Sequence, residues 1–152
     1  MSQPSFDPQS AHRHFSAHCF NAAWDLIDKQ ARTPDEEEQM LLLAQASLWH
    51  WTQREDCTPR NLSVGYWQLA RIYALLGWPE EAWRAGEAAL RFAENEPPFY
   101  RGYAHEALAR AAMLAGDVSR QKHHLNEARW CAAEVTDAGE RAALETDLNG
   151  IG

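Results

Sequence analysis

Between Ser63 and Ala128 one helical hairpin is written twice. Leu69, Ala70, Gly77 and Ala89 are each followed 39 residues later by Leu108, Ala109, Gly116 and Ala128. A common offset across a large apolar residue, a small one, a turn glycine and a second small one is not a product of composition. It marks a repeat of helix, tight turn and helix, a unit that buries its apolar stripe only by stacking on a neighbour.

The remainder of the chain is punctuated in the same style. Phe15, Cys19, Ala22, Ala23, Leu26 and Ile27 recur at three- and four-residue steps and predict an amphipathic helix from about His14 to Ala31. Thr33-Pro34-Asp35-Glu36 reads as a capping box with proline at the first helical position, opening a helix to about Arg54 whose packed stripe is Met40, Leu43, Ala44, Ser47, Leu48 and Trp51. Thr58-Pro59 opens a third helix, ended by Gly77, and Pro79 a fourth, to about Glu94. Pro97-Pro98 precedes a fifth, ended by Gly116. Asp117 caps a sixth to about Val135, and Asp137 with Glu140 starts a short seventh to about Leu148. No β-branched alternating run occurs, so the expected class is all-α, with connections short enough to force antiparallel neighbours. Residues 1–12, with Pro4 and Pro8 and no periodicity, are expected to form a flexible N-terminal arm, and 13–152 a single helical domain.

At 152 residues the chain is long enough to bury a core without staples. Its three cysteines, Cys19, Cys57 and Cys131, are widely spaced and form no CxxC pair, which predicts small buried or half-buried side chains and not a disulfide framework. The 22 acidic against 14 basic residues give a net charge of −8, which suits neither nucleic acid nor an anionic membrane surface as partner. With no apolar run of membrane-spanning length and no signal-peptide centre, the expected compartment is the cytoplasm. Seven tryptophans are an excess, compatible with a core or with a binding surface.

Tyr66-Trp67-Gln68-Leu69-Ala70-Arg71-Ile72-Tyr73, then Gly77, Glu80-Glu81-Ala82 and Ala89, resemble a tetratricopeptide repeat. Small residues at 70, 82 and 89 permit the close helix crossing such a hairpin needs. In the second copy Leu108, Ala109, Gly116, Leu125 and Ala128 fit, while Ala112 replaces the tyrosine and Gln121 the turn-proximal alanine. The 39-residue period exceeds the usual 34 because the connection around Asn95 to Phe99 is longer. Phe20-Asn21-Ala22-Ala23-Trp24-Asp25-Leu26, Ala46-Ser47-Leu48-Trp49-His50-Trp51 and Gly65-Tyr66-Trp67-Gln68-Leu69 look like segments of a stand-alone bacterial helical family, a resemblance that implies no activity. The tetratricopeptide resemblance implies a right-handed superhelix of about seven helices. Its concave face would hold a protein or peptide.

That resemblance and helical geometry select Trp67 and Arg71 on the exposed side of the third helix and Tyr103, Glu106 and Arg110 on the exposed side of the fifth as one binding face, with Asn21 and His50 as further candidates. Arg71 and Arg110 occupy equivalent places in the two copies. Two guanidiniums on neighbouring helices suit a ligand's carboxylate; equally, each pairs with an acid of its own protein, such as Glu106 four residues before Arg110. His14 and His18, one turn apart, have the spacing of two metal ligands, but no third follows, and no metal or cofactor is expected. His50, between Trp49 and Trp51, reads either as a buried hydrogen-bonded ring or as a group reaching into a groove. No nucleophile-elbow, zinc-protease or phosphate-loop motif is present, which points away from an enzyme. A small-molecule or metal-binding helical bundle, and a self-associating scaffold that buries its tryptophans between copies, are the other two expectations.

Overall fold

The computed structural model describes Ser2 and residues 5–152. Among the described residues there are seven helices and no strands: α1 Pro8–Ile27, α2 Pro34–Gln53, α3 Pro59–Leu75, α4 Pro79–Phe92, α5 Pro98–Ala115, α6 Val118–Glu134 and α7 Ala138–Asn149. Five of them begin with proline at N1, where the missing N–H is not needed and the fixed φ is already helical.

The first helix corrects the expected boundary. It starts at Pro8, not His14, because the Asp7 carboxylate accepts the N–H groups of Gln9 and Ser10 at 3.2 Å each. Residues 8–12 therefore belong to the helical body, while Met1, Gln3 and Pro4 of the expected arm lie outside the described residues. The helix also ends earlier, at Ile27, where the Arg32 guanidinium takes up the orphaned carbonyls of Leu26 and Ile27 at 3.2 and 3.3 Å. Its buried stripe is Ser16, Cys19, Ala23 and Ile27, with Phe15 left exposed.

Capping differs in detail as well. Thr33 accepts the Glu36 N–H at 3.2 Å, but the Glu36 carboxylate turns to Lys29 at 2.6 Å and does not close the box. The reciprocal box is at Thr58: its hydroxyl accepts the Asn61 N–H at 3.4 Å, and the Asn61 side chain accepts the Thr58 N–H at 3.0 Å.

The two glycine turns are the same structure made twice. Gly77 has φ +77° and Gly116 φ +73°, the left-handed conformation that costs glycine little. Immediately after, Trp78 N–H reaches back to the Tyr73 carbonyl and Asp117 N–H to the Ala112 carbonyl, both at 2.9 Å. This six-to-one bond is the Schellman arrangement, and it aims the next helix back along the one just ended.

Each helix packs on its sequence neighbour, and α3, α5 and α7 also touch one another in series. The seams are narrow because small residues occupy them. Ala70, Ala82, Ala89, Ala104, Ala109 and Ala128 are all buried, and Leu108 closes directly over Gly86. One apolar cluster joins α1–α5 around Met40, Leu48 and Ile72; another joins α5–α7 around Leu125, Leu144 and Leu148. Buried side-chain bonds to carbonyls tie helices together where apolar packing alone would slide. Ser47 Oγ donates to Ser16 O at 2.7 Å, Ser63 Oγ to Ala89 O at 2.8 Å, and Gln68 Nε2 to Phe20 O at 2.9 Å. Cys19 and Cys131 are buried and Cys57 half-buried, all as free thiols.

Candidate functional site

The five residues selected on the third and fifth helices come together, but not all on the exposed face expected of them: the group at their centre, Glu106, lies inside, between α3 and α5. Its side chain is fully buried, a position that an ionised carboxylate holds only when its oxygens are paired. Arg71 Nη2 donates to Oε1 from α3 at 3.0 Å, and Arg110 Nε and Nη2 donate to the same oxygen from one turn along α5 at 2.9 and 2.6 Å. Trp67 Nε1 donates to Oε2 at 3.0 Å. Trp67 and Glu106 are 39 residues apart, so the donor and the acceptor stand at the same place in successive copies.

Of the two readings of the arginines, the internal one is what the structure shows. Both guanidiniums grip a carboxylate, and the carboxylate is the protein's own. Their outer edges, with Ile27, Asp28, Leu75, Met113 and Leu114, line an open cleft of about 410 Å³.

Tyr103 continues the network toward α7. Its hydroxyl donates to Asp147 Oδ2 at 2.8 Å, and Asp147 in turn lies 4.0 Å from Arg71. Burial first, and then the Asp147 carboxylate, push the Tyr103 phenol well above its ordinary range, so it remains a neutral donor. The ring of Tyr103 meets Trp67 edge to face at 5.0 Å and Phe99 at 5.1 Å. On the other side Trp24 of α1 packs on Trp67 at 5.3 Å.

These rings are half-buried and form a band across the odd-numbered helices. Trp67, Phe99, Tyr100 and Tyr103, with Ser63 and Val64, line a pocket of about 180 Å³. Val64 and Tyr100 are shared with a neighbouring cleft of about 280 Å³, lined also by Phe20, Asn21, Trp51 and Arg60. Asn21 is exposed there, a turn away from Trp24. Arg60 lies over the Tyr100 ring at 4.6 Å while its Nε holds Glu96 at 2.9 Å.

His50 stands apart from this band. It faces the seam between α1 and α2, with its Nδ1 2.8 Å from His12 Nδ1, one ring donating and the other accepting, and with Phe15 and Trp49 against it. Burial, then the His12 ring, lower its pKa. Of its two readings, the hydrogen-bonded ring is the one observed. A second pair spans α5 and α6: His105 Nδ1 and His124 Nδ1 are 3.0 Å apart. Both are pushed toward the neutral form chiefly by burial, His124 to about 4. His14 and His18 are exposed and stack on each other at 5.5 Å. Among the described residues, no group of three or more His, Cys, Asp or Glu side chains is placed to hold a metal.

Sequence reasoning found the centre of the network and missed its edges. Trp24, Phe99 and Tyr100 carry no periodic signal that separates a wall of a cleft from a core residue. Asp147 lies on α7, which the 39-residue repeat does not reach. The second histidine pair was missed as well: His105 and His124 lie on different helices, and nothing in their spacing sets them apart from other polar residues of α5 and α6. No described helix is long and apolar enough to cross a membrane. Comparison with protein-family models, with curated proteins and with solved structures finds no match to this chain.

Proposed function

We propose that this chain is an interaction module of tetratricopeptide-repeat type, a right-handed stack of helical hairpins whose odd-numbered helices hold an extended peptide or a segment of a partner protein. One observation carries the reading: rings from three separate helices, Phe20 and Trp24, Trp67, and Phe99 with Tyr103, form a continuous band that stays half-buried among the described residues. Large, stiff, amphipathic side chains in a cleft are what binding hot spots are made of. The matched turns at Gly77 and Gly116 and the neighbouring of α3, α5 and α7 support the superhelical part of the reading.

Within this reading the arginines act as scaffold. Arg71, Arg110 and Glu106 fix Trp67 from beneath, so the rings are held before a partner arrives, which lowers the ordering cost of binding. Asn21, on the rim, is exposed, and its amide is able to pair with a peptide backbone.

Selection from a random-peptide display library tests the proposal. The expected result is a converged set of sequences whose affinity falls about tenfold or more in Phe99→Ala and is unmoved by Trp130→Ala, an exposed tryptophan on α6. Failure to converge, or equal loss in the two variants, would sink it.

A further inference from the structure

The pocket between α3 and α5 is walled mainly by aromatic rings, and most of its polar hydrogens are already engaged. Ser63 Oγ is spent on the Ala89 carbonyl, Trp67 Nε1 on Glu106 and the Tyr103 hydroxyl on Asp147. What remains is ring surface, the Tyr100 hydroxyl and the lone pairs of the Ser63 and Tyr103 oxygens. Phe99 meets Tyr100 at 86° and Tyr103 at 80°, and Tyr103 meets Trp67 at 67°, so successive rings stand as the walls of a box. Its volume of about 180 Å³ lies below the ~300 Å³ at which drug-sized pockets begin, room for one compact head group.

We propose that this box receives a quaternary ammonium group, the methylated head of a trimethyl-lysine side chain or of a choline-type molecule. The proposal deepens the interaction reading above and rests on the same band of rings. Three features favour a methylated cation over other occupants. Aromatic faces carry negative potential and attract cations, best of all indole. Here the Trp67 N–H and the Tyr103 O–H both donate to carboxylates, which pushes electron density into the two rings and strengthens that potential. A primary ammonium would enter with three N–H donors against only the hydroxyl oxygens of Ser63, Tyr100 and Tyr103, a penalty that a fully methylated nitrogen does not incur.

Neighbouring charge does not oppose this. Arg60 is paired with Glu96, and Arg71 and Arg110 are matched by Glu106 and Asp147, while the chain as a whole carries −8 and draws cations toward it. Two arginines already lie over Tyr100 and Trp67, at 4.6 and 5.7 Å, so these rings engage positive charge.

The test is a calorimetric titration of the full chain with choline, with its neutral isostere in which carbon replaces nitrogen, and with a short peptide bearing either lysine or trimethyl-lysine. The Trp67 indole N–H resonance is followed in parallel. Choline or the trimethyl-lysine peptide is expected to saturate, to shift the Trp67 resonance, and to bind about tenfold tighter than its uncharged or unmethylated counterpart. Phe99→Leu, which keeps apolar volume and removes a wall, should weaken binding about fivefold or more. Val64→Phe should block it by filling the box, and serves where the first variant does not fold. Saturation by the peptide alone assigns the group to a partner protein, and equal saturation by choline assigns it to a free metabolite. Equal affinity for the neutral isostere, or no saturation by either cation, overturns the proposal. If a display library nonetheless yields peptides that require Phe99, the interaction reading survives without it.

Discussion

The hairpins α3–α4 and α5–α6 share a backbone and differ in chemistry. Leu69 with Ala70 and Leu108 with Ala109 are buried alike, Ala89 and Ala128 are both fully buried, and the two glycine turns match in φ and in hydrogen bonding. Yet at three equivalent places the first copy has Tyr66, Trp67 and Ala85, and the second has His105, Glu106 and His124. The first copy fills its interior with rings: Tyr66 lies parallel to Phe92 at 5.8 Å, and Trp67 joins the aromatic band. The second fills its interior with ionisable groups. The backbone is thus specified by a few small residues and a turn, and the positions between them are free to carry charge wherever the adjoining copy supplies the partner.

The largest effect should come from removing the charge that separates the copies. Glu106→Ala leaves two guanidiniums and the Trp67 N–H facing a buried void, and should cost about 3–5 kcal/mol in urea-induced unfolding. A truncation within the aromatic interior of the first copy, Tyr66→Ala, removes a half-buried ring and no buried charge, so it should cost clearly less. Equal costs would erase the distinction between an aromatic and an ionic interior.

Acid should act on the second copy more than on the first. His105 and His124 have folded pKa values below the unfolded value of 6.5, with His124 at about 4, so the unfolded chain binds more protons between these limits. Their contribution is intact above pH 6.5 and is lost as pH falls toward 4. Allowing for partial exposure, the loss should be about 1–2 kcal/mol, read as a fall in melting temperature between pH 7 and pH 4. His124→Leu should flatten that limb. A limb of unchanged slope would show that protonation of this pair does not govern the acid response.

The smallest effect probes what the copies share. Gly77→Ala and Gly116→Ala each force a side chain into the left-handed region and should each destabilise by about 1 kcal/mol. No atom of the surroundings lies within 4 Å of a methyl at either place, so the cost is conformational in both. Thermal melts that differ widely between the two variants would break the equivalence of the turns.

How much of this could be read from residues alone follows from what sets each feature. Helix starts at Thr33, Pro59, Pro79 and Asp117 and the ends at Gly77 and Gly116 are local, and were legible. The start at Pro8 was missed because a capping aspartate in a proline-rich stretch resembles a loop until its bonds to Gln9 and Ser10 are seen. The meeting of Trp67, Arg71, Glu106 and Arg110 was legible because a common offset places equivalent residues side by side. That the arginines would close on Glu106 and not on a ligand was one of two readings, and burial decided between them. Asp147 and Trp24 enter from helices outside the clear repeat, where no offset links them to their partners.

The bond from Trp67 to Glu106 gives the stack a direction. An indole can only donate and an ionised carboxylate only accept, so a copy of the first kind is matched to one of the second kind following it and not to another like itself. Doubling the first hairpin would set tryptophan against tryptophan at the new joint; doubling the second would set two carboxylates face to face. The order of the units is therefore written into one donor and one acceptor, and lengthening the array would require that they alternate.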